Sequence, residues 1–256
     1  MKSIRSGSIV IEWLKVSTKS NLNVVLGDSS ILADWISSSK RINPNDLVLT
    51  SCRSDHKEKF RYSQHIKIDL TVDSEVSKFT SLINQKIEAQ QYESLNLFVL
   101  SATHSTNVNL TIEEIFDSIN VNTIAPWRII SQINNLTTMN IQIFFISSMS
   151  YINPFYPNKL YSMQKKFNSF LYQQISSKNI KIRIAICGPM SYSKNSKLGP
   201  VSKSKFVPNF FKGYFLVTKE TFVDFLDKGL LSNKHLLICY LPKIWRSKTA
   251  RKVTYE

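Results

Sequence analysis

FFISSMSYINPFYPNKLYSMQKKFNSF, Phe144 to Phe170, decides how this chain reads. The stretch begins inside an apolar run, Ile141 to Ile146, interrupted only by Gln142 and ending at Ser147-Ser148. A short apolar run bounded by turn formers predicts a buried strand. Asn153-Pro154 and Pro157-Asn158 mark a loop. Beyond it, Leu160, Met163, Phe167, Phe170 and Leu171 recur at three- and four-residue steps, which predicts a helix with these residues on one face. Tyr161 and Lys165 stand one turn apart and can point at the same place.

A strand end presenting Ser148 and a helix presenting Tyr161 and Lys165 make a candidate site. A free tyrosine, with a pKa of about 10, is a poor acid-base group at neutral pH. An ammonium one turn away stabilises the tyrosinate and brings the phenol toward the working range. A serine hydroxyl can hold a carbonyl oxygen beside it. Such a device moves a proton on or off an alcohol or ketone oxygen. The Tyr-x-x-x-Lys pair alone is what chance supplies in a chain with 10 tyrosines and so many lysines. Its weight comes from Ser148 at the strand end and from what flanks it.

With these residues in place, the chain resembles the short-chain dehydrogenase/reductase family. Ile146-Ser147-Ser148 followed by Tyr161-Ser162-Met163-Gln164-Lys165 is similar to that family's catalytic segment. Val121-Asn122-Thr123-Ile124-Ala125-Pro126 resembles its V-N-x-x-x-P helix, and Ile182-Arg183-Ile184-Ala185-Ile186-Cys187-Gly188-Pro189 its I-R-V-N-x-x-x-P strand. The resemblance runs from residue 22 to about 240. It implies Tyr161 as acid-base residue, Lys165 as its modulator and ribose ligand, Ser148 as substrate-orienting group and Asn122 as support for a proton relay. It also implies a nicotinamide dinucleotide cofactor and a small-molecule carbonyl or alcohol substrate.

The first strand predicted is Asn23-Val24-Val25-Leu26, and Gly27-Asp28-Ser29-Ser30-Ile31-Leu32-Ala33 follows it. The family pattern there is T-G-x-x-x-G-x-G, whose glycines serve the tight turn, the approach of the pyrophosphate and helix–strand packing. Here Gly27 is kept, while Ile31 and Ala33 stand at the other two glycine places and Leu26 replaces threonine. A β-branched residue at position 31 makes positive φ costly, and Asp28 puts negative charge where phosphate would come. The cofactor set implied is Gly27, Ser29, Ser30, Ile31, Arg53, Asp69, Leu70, Ser101, Ala102, Tyr161, Lys165 and Pro189. Arg53 follows the second strand, Leu47 to Thr50, with no acidic residue before Asp55, which favours NADP over NAD. Ile66 to Leu70 is predicted as the third strand, with Asp69-Leu70 beside the adenine. Ser101-Ala102-Thr103-His104 replaces the family's N-N-A-G.

Composition sets the bounds. A chain of 256 residues, 43% hydrophobic and 20% charged, suits one α/β domain. No apolar run reaches the ~18–20 residues of a membrane span, and Glu12 interrupts the only apolar patch near the N-terminus. Cys52, Cys187 and Cys239 lie far apart, so no metal-ligand spacing is read and buried thiols in a reducing cytoplasm are expected. The net charge of +15 is spread without a block of like charges. It carries no nucleic-acid motif. Membrane-surface contact would fall to Lys243 to Lys252.

Strands alternating with helices predict a Rossmann-type α/β fold: a doubly wound parallel sheet in three α/β/α layers, one domain over 21–256, preceded by an extension over 1–20. Thr111 and Glu114 have capping-box spacing at the start of the helix carrying Phe116, Ile119 and Asn122. Thr218 opens a helix predicted to end at Gly229, and His235 to Tyr240 forms the last strand. A polar stretch over 191–197 has the composition of a substrate lid, and Val207 to Phe215 forms an aromatic cluster. The expected function is NAD(P)-dependent reduction of a carbonyl, or the reverse. The alternative is a non-catalytic binding or assembly module on the same fold. In the family resembled, the helices of Asn122 and Tyr161 pair across a two-fold axis. A homodimer or homotetramer is therefore expected, with Ile129, Ile130, Ile133, Phe167 and Phe170 as candidate contacts.

Overall fold

The computed structural model describes residues 20–28, 30–53, 63–89, 92–101, 109–134, 139–148, 159–175, 179–187 and 217–240. Seven strands form one parallel sheet: β1 Leu22–Leu26, β2 Leu47–Cys52, β3 Ser63–Lys67, β4 Ser94–Val99, β5 Asn140–Ser148, β6 Ile180–Cys187 and β7 Leu236–Tyr240. Their order is β3-β2-β1-β4-β5-β6-β7. The helices among the described residues are α1 Ile31–Ile36, α2 Asp73–Ala89, α3 Ile112–Ile119, α4 Ala125–Asn134, α5 Lys159–Gln174 and α6 Lys219–Leu231, with a π-helical turn, Asn120–Ile124, between α3 and α4. This is the doubly wound fold expected. Its central strands are buried on both faces, which explains near-continuous apolar runs such as LNVVL and IQIFFI.

Two apolar clusters flank the sheet. Val76, Phe79 and Ile83 of α2, Ile129, Ile130 and Ile133 of α4 and Tyr172 of α5 cover one face. Leu32, Trp35 and Ile36 of α1 and Phe222, Phe225 and Leu226 of α6 cover the other. Strand order reverses between β1 and β4, so a crevice opens at the C-terminal ends of these strands, the usual ligand site of such sheets.

Several expectations are corrected. β3 starts at Ser63 and stops at Lys67, so Asp69 and Leu70 lie beyond it. Asp69 Oδ1 accepts from the Thr71 amide at 2.9 Å, and the Asp69 amide donates to Glu75, so this residue shapes the entry to α2. Ile129, Ile130 and Ile133 are core residues and offer nothing to a partner. Of the cysteines, only Cys187 is buried; Cys52 and Cys239 are partly exposed. Gly229 sits inside α6 and does not end it: a Cβ there would lie 2.8 Å from a Phe144 ring carbon, so close packing requires glycine. The predicted N-caps hold, with Thr111 forming the full capping box and Thr218 accepting from the Thr221 amide.

The largest departure concerns α5. Its apolar stripe faces outward, with Met163 68%, Phe167 54% and Phe170 62% exposed. Its polar stripe, Ser162, Gln164, Lys165, Asn168 and Ser169, faces inward. An inward polar face needs hydrogen-bond partners; among the described residues Gln164 Nε2 and Asn168 Oδ1 find none, and the partners of the other groups build the site.

Candidate functional site

β5 carries Ser148 to the C-terminal edge of the sheet, paired in register with Cys187 of β6. Helix α5 packs across β5 and lays Lys165 beneath Tyr161. Lys165 is 2% exposed, and its ammonium donates to the Ile146 carbonyl at 2.8 Å. The same nitrogen lies 5.6 Å from the centroid of the Tyr161 ring and 5.1 Å from that of Phe145. Tyr161 is half-buried, as is Ser148. The helix therefore joins the two residues that stand one turn apart in the sequence, the half-buried Tyr161 ring over the buried charge.

Burial pushes the Lys165 ammonium down to about 8 from its ordinary 10.5, partly opposed by the Cys187 thiol. Burial pushes that thiol up to about 12. The lysine shift fixes a stability profile. Below pH 8 both folded and unfolded chains hold the proton, and the folded chain bears the full cost of burying the charge. Between about 8 and 10.5 only the unfolded chain binds it, so stability rises with pH. The gain amounts to roughly 3 kcal/mol across that window. Urea denaturation at pH about 7 and about 10 should show this gain in the unmutated chain and its loss in Lys165→Met. An identical pH dependence in both proteins would contradict it.

Asn122 lies in the π-helical turn, buried at 1% exposure. Its amide donates to Gln164 Oε1 at 2.7 Å and to Ser118 Oγ at 3.3 Å. Its carbonyl accepts from Asn168 Nδ2. These bonds clamp the π turn to α5 on either side of Lys165. Ser147 and Ser169 add a second clamp, their hydroxyls 2.6 Å apart beneath the lysine, with Ser169 Oγ also donating to the Lys165 carbonyl. Gln164, Asn168, Ser147 and Ser169 carry no motif of their own. Their signal was the i, i+4 recurrence of Gln164 with Asn168 and of Lys165 with Ser169, a polar stripe opposite the apolar one.

On the cofactor side, Gly27 takes φ 90. A Cβ at Gly27 would meet the Ser101 amide nitrogen at 2.7 Å, so the end of β1 closes on the end of β4 only with glycine there. Ile31 needs no positive φ: it enters α1 in helical conformation behind Ser30, whose hydroxyl accepts from the Ala33 amide at 3.4 Å. Ala33 is fully buried against the sheet, meeting the packing demand of the third glycine. Asp28 does not present its charge to the crevice. It is 3% exposed and its Oδ2 lies 2.8 Å from His65 Nδ1. Arg53 is exposed just past β2. Gly27, Ser30, Arg53 and Ser101 thus stand just beyond the C-terminal ends of β1, β2 and β4. Ser29, Ala102, Pro189, the lid stretch 191–197, the aromatic cluster over 207–215 and the extension over 1–19 lie outside the described residues.

No family model matches the sequence, and no curated protein does. Solved structures do match in fold. A short chain dehydrogenase family protein from Francisella tularensis subsp. tularensis SCHU S4 superposes with a TM-score of 0.66 at 15% identity, covering 88% of this chain and 99% of that one. A 4-hydroxyisoleucine dehydrogenase complexed with NADH gives 0.63 at 13% identity, covering 88% and 98%. A bulky-bulky ketone specific alcohol dehydrogenase from Comamonas testosteroni gives 0.59 at 14% identity, covering 86% of each chain. The chain adopts the short-chain dehydrogenase/reductase fold. No helix among the described residues is long and apolar enough to cross a membrane.

Proposed function

We propose that this chain is an NAD(P)-dependent oxidoreductase acting on a carbonyl/alcohol pair of a small molecule. The observation that carries the reading is the half-buried Tyr161 seated over the buried Lys165 ammonium at the edge of β5. The dinucleotide, held by Gly27, Ser30, Arg53 and Ser101 with Tyr161 and Lys165 at its nicotinamide end, would supply or accept the hydride. Ser148 hydrogen-bonds the substrate oxygen and fixes it beside the phenol. Tyr161 gives that oxygen a proton in reduction and removes it in oxidation. The Lys165 charge favours the phenolate left behind, and its titration near 8 couples that support to pH. Asn122, Gln164 and Asn168 hold the helix that aims both groups.

Titration of the purified chain with NADPH and NADH, followed by nucleotide fluorescence, tests this. NADPH should bind more tightly, because Arg53 can pair the 2′-phosphate. Arg53→Ala should remove most of the preference, a charge-assisted contact worth roughly 1.5–3 kcal/mol. Equal affinities before mutation would refute the NADP preference. Binding of neither nucleotide would leave the non-catalytic module as the better reading.

The outward faces of α3 and α5 bear on assembly. Ile112 (67%) and Phe116 (61%) are as exposed as the α5 stripe, and Ser118 bonded to Gln164 at 3.2 Å joins the two helices. A large exposed apolar surface is unusual for a monomer. A second copy of this chain, presenting the same face, would cover it in a two-fold arrangement. Sedimentation should give a multiple of the 29.5 kDa chain mass, and Phe167→Glu should shift the population toward monomer. A 29.5 kDa species alone at micromolar concentration would end the idea.

A further inference from the structure

Across the crevice from the Tyr161–Lys165 pair, three side chains converge at the C-terminal ends of β1, β2 and β3. Thr50 of β2 is paired in register with His65 of β3, so their side chains share a face. Cys52 lies two residues beyond Thr50 on the same strand and shares that face. Gly27 turns the chain at the end of β1, its amide and that of Asp28 both donating to the Ser51 carbonyl, which brings Asp28 over the same corner. The outcome is one carboxylate oxygen, one sulfur and one imidazole nitrogen, all within 4.8 Å of one another.

Asp28 is 3% exposed, and among the described residues its Oδ1 has no hydrogen-bond partner. A buried carboxylate oxygen left unpaired is a costly arrangement in a folded chain, and a cation at that oxygen relieves it. We propose that Asp28, Cys52 and His65 form a binding site for a zinc-class divalent ion, with a fourth position open to water. The donor set selects the ion. Sulfur with imidazole and carboxylate suits zinc, whereas calcium and magnesium take oxygen ligands. Tetrahedral zinc, with bonds of about 2.0–2.3 Å, sets donors roughly 3.3–3.8 Å apart, so rotamer adjustments close the present spacing. Carboxylate and thiolate together balance the double charge, and the thiol proton leaves to buffer on binding. Thr50 Oγ1 lies 3.1 Å from His65 Nδ1, the nitrogen that also faces Asp28 Oδ2 at 2.8 Å, so the two groups fix the ring in this corner. The set has no sequence signature because its ligands come from the turn after β1, from β2 and from β3.

The test is titration of the full, metal-stripped chain with cobalt(II), without dinucleotide, so that its result is separate from the oxidoreductase reading. A one-to-one complex with a thiolate-to-cobalt charge-transfer band, displaced by zinc(II), is expected. Cys52→Ser should abolish the band, while Cys187→Ser and Cys239→Ser keep it. His65→Gln, at a half-buried position on the edge strand, should weaken binding by about tenfold or more and serves where Asp28→Asn does not fold. No charge-transfer band in the unmutated chain, a band that survives Cys52→Ser, or unchanged affinity in His65→Gln would each overturn the site.

Discussion

Tyr161→Phe should lower turnover by about 10²–10⁴ while leaving dinucleotide affinity and melting temperature nearly unmoved. The substitution removes one oxygen. The ring stays over the Lys165 ammonium, 5.6 Å from its centroid, and the half-buried position opens no cavity. What is lost is the group that transfers a proton to the substrate oxygen. The effect should therefore fall on kcat, because an interaction made in the transition state is the one removed. Lys165→Met should also slow turnover, but by flattening the pH profile near the lysine's own titration at about 8. Stopped-assay rates against a panel of ketones and aldehydes would measure both. A Tyr161→Phe protein that turns over at the unmutated rate would leave the oxidoreductase reading without its acid-base residue.

The parallel sheet and the one-turn spacing of Tyr161 and Lys165 are legible in the sequence because each rests on local pattern. Buried parallel strands read as apolar runs, and a one-turn spacing on a helix brings two side chains together wherever the helix lies. What escaped was pairing between elements. The stripe of Met163, Phe167 and Phe170 has the spacing of a core face, yet it points outward because Gln164, Lys165, Asn168 and Ser169 find partners on β5 and the π turn. Periodicity locates a face but does not say which face is inside when the polar one finds bonds of its own. Asn122 stands in a readable motif, but its partner Gln164 sits far along the chain. Gly229 looked like a helix terminator, and only the neighbouring Phe144 ring explains it. The Asp28–Cys52–His65 corner depends on strand register, which no spacing along the chain records.

Arg183→Met should cost about 3–5 kcal/mol of stability, the range for removing one member of a buried charge-assisted network. Arg183 is 0% exposed in the middle of β6. Its partners are carbonyls: Nε donates to Gly229 at 2.9 Å, Nη1 to Lys234 at 2.8 Å and Ile182 at 3.1 Å, and Nη2 to Ser232 at 2.8 Å. Gly229, Ser232 and Lys234 lie at the end of α6 and in its passage to β7, where carbonyls lack intrahelical partners and negative potential gathers. The guanidinium serves as an internal cap fastening α6 and β7 to the sheet. Burial draws it down only to about 10, so it keeps its charge at neutral pH. Methionine would fill most of the volume, take the guanidinium donors from the partly buried Ser232 and Lys234 carbonyls, and leave Gly229 only the Ser232 amide, a loss of roughly 1–3 kcal/mol for each carbonyl left unpaired before relaxation. Arg183→Lys should recover only part of the loss, since a single ammonium cannot reach carbonyls spread around a planar fork. Urea denaturation read by tryptophan fluorescence would measure the order: unmutated most stable, lysine between, methionine least. A methionine variant within about 1 kcal/mol of the unmutated chain would mean that water replaces the cap, and that α6 is held by Phe222, Phe225 and Leu226 alone.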